Sequence, residues 1–441
     1  MPARRGGKRI VLVCLLFVGL AVPQRCFGYG LFTHQQLIDL AWDDAIQPLL
    51  LSRFPKTSAA ELRLAHAYAY GGCVIQDMGY YPFGHDFFSD LTHYVRSGDF
   101  VLSLFRHARD VNEYAFAVGA LSHYVGDSIG HHEAVNPATA QDFPKLEKKY
   151  GSVVTYQDSP KAHVRTEFGF DIDQLSARRF APQRYLDVIG FRVADRLLRV
   201  AFWETYGLEL REVLGPEFPA MRSYRSSVRR FIPLFAYAEV VIHKHHFQQD
   251  VPNQEFATYM QRLRQIDYGK RFANAYRNPG IGAHLIAVLI PILPRIGPLA
   301  YLAIKDPKAE TEQLYVTSVN RSVDFYRRRL GEFRGDLTAS VDLPNRDLDT
   351  GEVVRPGAYR LTDQTYARLL QRITARPERA VRAGIKRDIL AYYADPNAPI
   401  VTKRHKRAWK RVLAGLQELK RMPVATPFSS EERALIDSGP Q

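Results

Sequence analysis

The segment ALSHYVGDSIGHHEAVNP, residues 120–137, sets one carboxylate, Asp127, and three imidazoles, His123, His131 and His132, inside an otherwise apolar run. Hydrophobic residues recur at helical spacing from 112 to 133, which predicts a helix buried along most of its length. A carboxylate is costly to bury without a partner. The fold must therefore bring compensating groups to this helix, either hydrogen bonds within a core His–Asp pair or a metal ion. Residues four apart share a helix face, so His123 and Asp127 can present an imidazole and a carboxylate to one ion. His163 and Glu167 in KAHVRTEFGFD repeat that spacing, and His246 and Asp250 give a third pair, read as a solvated helix end. With 46 acids and 14 histidines in 441 residues, chance alone gives about one or two such pairs. Spacing by itself leaves the metal and the hydrogen-bonded core pair as equal alternatives.

Nine of the 14 histidines lie between positions 34 and 163, which concentrates imidazole chemistry in the first half of the chain. Other chemistries are missing. There is no Gly-rich phosphate loop before Lys-Ser/Thr, no complete dinucleotide fingerprint, no HExxH and no GxSxG. Residues 1–28 read as a secretory signal: basic MPARRGGKR, then the apolar IVLVCLLFVGLAVP, then small residues before a cleavage point after Gly28. A retained membrane anchor is the alternative, although the apolar run is short for a span. Cleavage removes Arg4, Arg5, Lys8, Arg9 and Arg25 and no acid, so the net charge falls from +14 to +9. Cys14 and Cys26 leave with it, and Cys73 is then alone, so no intramolecular disulfide is expected. A lone cysteine on an apolar helix is expected to be a small core residue rather than a nucleophile.

The remaining pattern is helical. Ser58 and Glu61 form a capping box ahead of AELRLAHAYAYGG, and helical spacing covers 98–110, 112–133, 182–213, 221–248, 254–276 and 307–331. One β signal, DLDTGEVVRPGAYRLTD at 347–363, predicts a short hairpin, followed by helices at 364–376, 379–393 and 402–421. At 441 residues the chain is long enough for two domains. The division placed here is a signal at 1–28, a catalytic domain at 29–250 and a mostly helical C-terminal region at 251–441.

Five segments in order, YGLFTH, GGCVIQDMGYYP, SDLTHYV, LSHYVGDSIGHH and AHVRTEFG, resemble the zinc-dependent phospholipase C/D family. Its relatives include bacterial phospholipase C, glycosylphosphatidylinositol-specific phospholipase D and S1/P1-type nucleases. The resemblance covers residues 29 to about 170 and implies an all-helical catalytic domain with up to three zinc ions. Carried over by position, one zinc takes the amine and carbonyl of Tyr29, His34 and Asp127. A neighbouring zinc takes Asp77, His93, His123 and the shared Asp127. The third takes His163, Glu167 and a histidine beyond Asp127. In the phospholipase C branch that histidine lies six residues on, where Glu133 stands here; in the phospholipase D-like branch it lies four on, at His131, which is preferred to His132. His93 is preferred to His85 as ligand because it precedes an aromatic residue. Asp77 is also implied to accept a proton from the attacking water. Asp86, Asp90 and Glu133 are candidates for fixing the imidazoles.

Substrate selection is less defined. Tyr80, Tyr81, Phe83, Phe87 and Phe88 could floor a pocket for a lipid headgroup or nucleobase, or pack the domain. The choline-binding phospholipases carry an aromatic immediately after the metal aspartate, where this chain has Met78. The apolar stretch 281–304 is expected in the core, with an interfacial role as the alternative, and the basic amphipathic 402–421 as a solvated helix with a possible membrane-surface contact. Three functions follow: an exported zinc phosphodiesterase acting on phospholipids, a nuclease on single-stranded nucleic acid, or a non-catalytic zinc-bound membrane-interacting protein. None calls for an obligate protein partner.

Overall fold

The central helix begins where the sequence supplies a cap: the Asp110 carboxylate accepts hydrogen bonds from the Asn112 and Glu113 amides, each at 2.9 Å. The computed structural model describes residues 30–180, 187–215, 217–243, 253–266, 279–290, 304–335 and 341–425. The helices that position the site are α1 (Leu31–Ala41), α2 (Ala59–Gly72), α3 (Asp86–Tyr94), α4 (Val111–Gly130), α5 (Pro160–Ser176), α6 (Ala309–Glu332), α7 (Arg360–Thr374) and α8 (Lys406–Arg421). The protein is mainly α, as expected. Its described sheet is a parallel pair of two-residue strands, β1 (Val381–Arg382) and β2 (Val424–Ala425). The capping box at Ser58 and Glu61 opens α2.

Helices α2 and α4 touch backbone to backbone. A Cβ on Gly119 would lie 2.1 Å from the Ala69 carbonyl oxygen, and one on Gly72 would lie 2.0 Å from that of Phe116. Only glycine permits this approach, which buries α4 from Tyr114 to Asp127. Cys73 follows at the end of α2, fully buried, with its thiol on the Tyr70 carbonyl and its pKa pushed up by burial. It is a core residue, as the sequence suggested.

Helix α6 crosses the other side of α4. The Tyr326 hydroxyl donates to the Val118 carbonyl at 2.8 Å, and that of Tyr315 meets the Thr33 hydroxyl at 3.0 Å. A continuous apolar cluster runs from Leu31 to Met422 and so crosses position 250. Helix α8 contributes Val412 and Leu419 to it and leaves its basic face exposed.

Three sequence expectations are corrected. The hairpin at 347–363 reduces to a single antiparallel bridge, Arg346 with Val353, around a tight loop, and α7 begins at Arg360. The helix expected over 182–213 is interrupted by a non-helical run at 191–194, where the Arg192 amide bonds to the Ala67 carbonyl; helix resumes at Asp195–Tyr206 and Leu210–Leu214. The stretch expected in the core from 281 onward forms a helix, Ile281–Leu289, that buries Ala283 and Ala287 but exposes Ile281, Leu285 and Val288. Residues 291–303 and the His246/Asp250 pair lie outside the described residues. No helix among the described residues is long and apolar enough to cross a membrane.

Candidate metal centre

Helical spacing places His123 and Asp127 together on α4, and tertiary packing brings the other groups to them. His34, from the first turn of α1, points Nε2 at Asp127 Oδ1 at 3.1 Å, and its ring stacks on His123 with centroids 4.3 Å apart. His123 Nε2 lies 3.0 Å from the other oxygen, Oδ2, and His93 Nε2 on α3 lies 3.4 Å from the same oxygen. Asp77, on a 3₁₀ turn at Gln76–Tyr80, places Oδ1 at 3.4 Å from His93 Nε2 and 4.0 Å from His123 Nε2. The two oxygens of Asp127 therefore face different histidine sets.

A further group forms where α5 passes the end of α4. His163 and Glu167, four apart on α5, lie 2.8 Å from Nε2 to Oε1, and His131 Nε2 is 3.4 Å from the same oxygen. Residues 131–135 form a π-helical turn that continues α4. It buries His131 and leaves His132 exposed, with its Nδ1 on the Thr350 carbonyl at 3.1 Å. Among the described residues three sets of potential ligands converge: His34, His123 and Asp127; Asp77, His93 and His123; His131, His163 and Glu167. These are the side chains that the resemblance implied, apart from Tyr29, which lies outside the described residues.

The proton positions show what the clusters need. Three histidines donate Nδ1–H to main-chain carbonyls: His93 to Ser89 at 2.8 Å, His123 to Cys73 at 3.1 Å and His131 to Leu348 at 3.1 Å. A neutral ring then turns its Nε2 lone pair toward carboxylate oxygens at 3.0–3.4 Å. Such contacts become attractive only with a proton or cation between the atoms. Both oxygens of Asp77 and of Glu167 are buried without a hydrogen bond. Burial, followed by the charges of Asp127 and Asp77, pushes the Glu167 carboxyl well above the usual range, while burial drives His163 down to the neutral form that binds metal. Burial alone would lower His93, but the neighbouring Asp127 and Asp77 carboxylates push it up instead. A nitrogen–oxygen donor set of this kind suits zinc.

The elements nearby have clear roles. Asp171, also on α5, accepts from the Phe32 and Thr33 amides at 2.9 and 3.1 Å and from the Thr33 hydroxyl at 2.9 Å. It caps α1 from across the core and fixes the turn that carries His34; burial raises its carboxyl to about 7 despite those donors. His85 caps α3 through Nδ1, which accepts from the Phe87 amide, and it belongs to none of the three groups. The acidic residues considered for orienting the imidazoles pair elsewhere. Asp86 and Asp90 face Arg368, and Glu133 faces Arg321. Main-chain carbonyls orient the rings instead, and they carry no sequence signature. Of the aromatics, Tyr80, Tyr81, Phe87 and Phe88 are buried and Phe83 is exposed. Tyr80 lies 5.9 Å from the His93 ring, and Tyr156, which was not singled out, lies 5.8 Å from that of His163.

The comparison with known families agrees with this geometry. Residues 33–215 match the family model described as zinc dependent phospholipase C, so this part of the chain is similar to that family. The family defines a class of zinc-dependent phosphodiester hydrolases. No curated protein matches the chain, and no solved structure matches it.

The two adjacent histidines give a direct check. His131→Ala is expected to lower zinc content by about one equivalent, whereas His132→Ala, which removes an exposed ring, should leave it unchanged. Metal analysis of the two purified variants decides; loss in His132→Ala alone would move the ligand to position 132.

Proposed function

We propose that this chain is an exported zinc-dependent phosphodiesterase that hydrolyses phospholipid-type phosphodiester bonds. The observation that carries this reading is the buried Asp127, which offers one oxygen toward His34 and the other toward His93 and His123. Zinc bound at these groups would supply positive charge that lowers the pKa of a water nucleophile and offsets charge on the phosphoryl oxygens. His34, Asp127, and the free amine and carbonyl of Tyr29 after signal cleavage would hold one ion. Asp77, His93, His123 and Asp127 would hold its neighbour, and His131, His163 and Glu167 a third.

The chain's own residues then do the following work. The three main-chain carbonyls keep the Nδ1 protons of His93, His123 and His131 in place, so each Nε2 stays a donor of electrons. Asp77 has a carboxylate with no competing hydrogen bond and accepts the proton from attacking water. The surrounding core excludes bulk water from the ligands, which strengthens every charge interaction among them.

Product analysis tests the reading. The mature protein, loaded with zinc, should release a phosphorylated headgroup or phosphatidic acid from a mixed phospholipid panel, with up to three zinc per chain. Faster cleavage of single-stranded nucleic acid than of any phospholipid would replace the proposed substrate by a nucleic acid. Full zinc occupancy without turnover on either would overturn catalysis.

A further inference from the structure

The family match ends at residue 215, yet the Nδ1 proton of His131 rests on Leu348, 217 residues further along the chain. The other two carbonyl acceptors, Ser89 and Cys73, come from within the matched segment. Leu348 also donates its own amide to the His93 carbonyl at 3.1 Å. One residue's main chain thus ties a histidine of the second group to a histidine of the third.

The loop that presents Leu348 is held tightly. Asp347 accepts from the Asp349 and Thr350 amides at 3.1 and 3.2 Å and from the Thr362 hydroxyl at 2.6 Å. The Asp349 carboxylate receives the hydroxyls of Tyr94 and Tyr359 on Oδ2, at 2.8 and 2.7 Å. Its other oxygen faces His131 Nδ1 at 3.6 Å, and its carbonyl accepts from Asn136 at 2.7 Å. Gly351, at φ +72°, passes so near α4 that a Cβ there would lie 2.1 Å from the Ser128 carbonyl oxygen. Ser128 is the residue after the bridging aspartate. These contacts explain why the turn residues of 347–351 make a loop pressed on the centre rather than a free hairpin.

We propose that the loop 347–351 is a built part of the metal centre, with Leu348 and Asp349 as positioning residues that set the His131 ring for its ion. The proposal rests on the zinc reading given above. An imidazole whose far nitrogen is held by a carbonyl and faced by a carboxylate binds metal more tightly, and loss of such partners lowers affinity by about 10–100-fold. The C-terminal region would then complete the site rather than merely flank it.

The test compares Asp349→Asn and Gly351→Ala with the unaltered protein. Asp349→Asn keeps the shape and an oxygen for both tyrosines but removes the negative charge facing His131. Gly351→Ala lifts the loop from Ser128. Zinc retention is titrated against a graded chelator, the visible spectrum is recorded after cobalt substitution, and the melting temperature of the metal-free protein is measured. The expected result is that one zinc equivalent leaves at about tenfold or more lower chelator strength in both variants, with a changed cobalt spectrum. A purely structural loop would lower the metal-free melting temperature while leaving all zinc affinities and the cobalt spectrum unchanged, and that result overturns the proposal. Should Gly351→Ala fail to fold, Asp349→Asn decides alone. Because the readout is metal binding, a protein that binds zinc but cleaves no phosphodiester refutes the proposed function and leaves this inference standing. An unaltered protein with no third zinc refutes this inference.

Discussion

Asp127→Asn is expected to empty the two groups that share this residue and to abolish turnover. The carboxylate is fully buried and each oxygen faces different imidazoles, His34 on one side and His93 with His123 on the other. A neutral amide offers one weak oxygen donor where the site is built for two anionic ones, and its NH₂ cannot ligate a cation. Loss of a residue that only orients a ligand costs about 10–100-fold in affinity or activity, so loss of a shared ligand should exceed about a hundredfold. Metal analysis should find up to one zinc remaining, at the group of His131, His163 and Glu167. Retention of full zinc and turnover in the purified variant would refute the bridging role.

Removal of metal should destabilise the fold strongly, and increasingly so as pH rises. Asp77, Asp127 and Glu167 are completely buried within one core, where a carboxylate is costly to keep without a compensating cation. The folded-state carboxyl of Glu167 is raised well above its ordinary value of 4.5, by burial first and then by Asp127 and Asp77. A carboxyl raised in the folded state binds more protons there than in the unfolded chain, so its own contribution to metal-free stability falls as pH climbs above about 4.5, while His163 and His34, both lowered by burial, act in the opposite sense below about 6.5. Zinc requires the deprotonated ligands, so its affinity rises over the same window. A single site at a thousand times its dissociation constant contributes about 4 kcal/mol. Melting temperatures with zinc and after chelation should therefore differ by several degrees near neutral pH and converge near pH 5. Equal melting curves at neutral pH would show that the three groups do not hold metal in the folded protein.

The parts of this centre that the sequence determined are those fixed by local geometry. A helix repeats its face every three to four residues, so His123 with Asp127, and His163 with Glu167, were readable as pairs from spacing alone. The cap at Ser58, the helical character of most segments and the burial of Cys73 followed from equally local rules. Which pairs belong to one centre was not readable from spacing. His34, Asp77 and His93 reach Asp127 or His123 from three other elements, and the family resemblance, not the pattern, pointed to them. The family resemblance preferred His131 to His132, and the π-helical turn buries the first ring and leaves the second at the surface, a difference that spacing did not announce.

Only the tertiary structure decided the rest, because its carriers have no side-chain identity. The carbonyls of Ser89, Cys73 and Leu348 that fix the imidazoles could belong to any residue type, and Leu348 lies more than 200 residues from the ring it holds. Turn residues at 347–351 correctly announced a reversal of the chain, closed by main-chain bonds from Asp347 to Glu352 and from Val354 to Asn345, but Leu348 and Asp349 bond instead to His93, His131 and Asn136. The apolar Ile281–Leu289 suggested a core segment, yet a helix buries only the face that meets a neighbour, and the two alanines form that face. Sequence period specifies which residues lie side by side on an element; what each face meets is settled by packing between elements far apart in the chain.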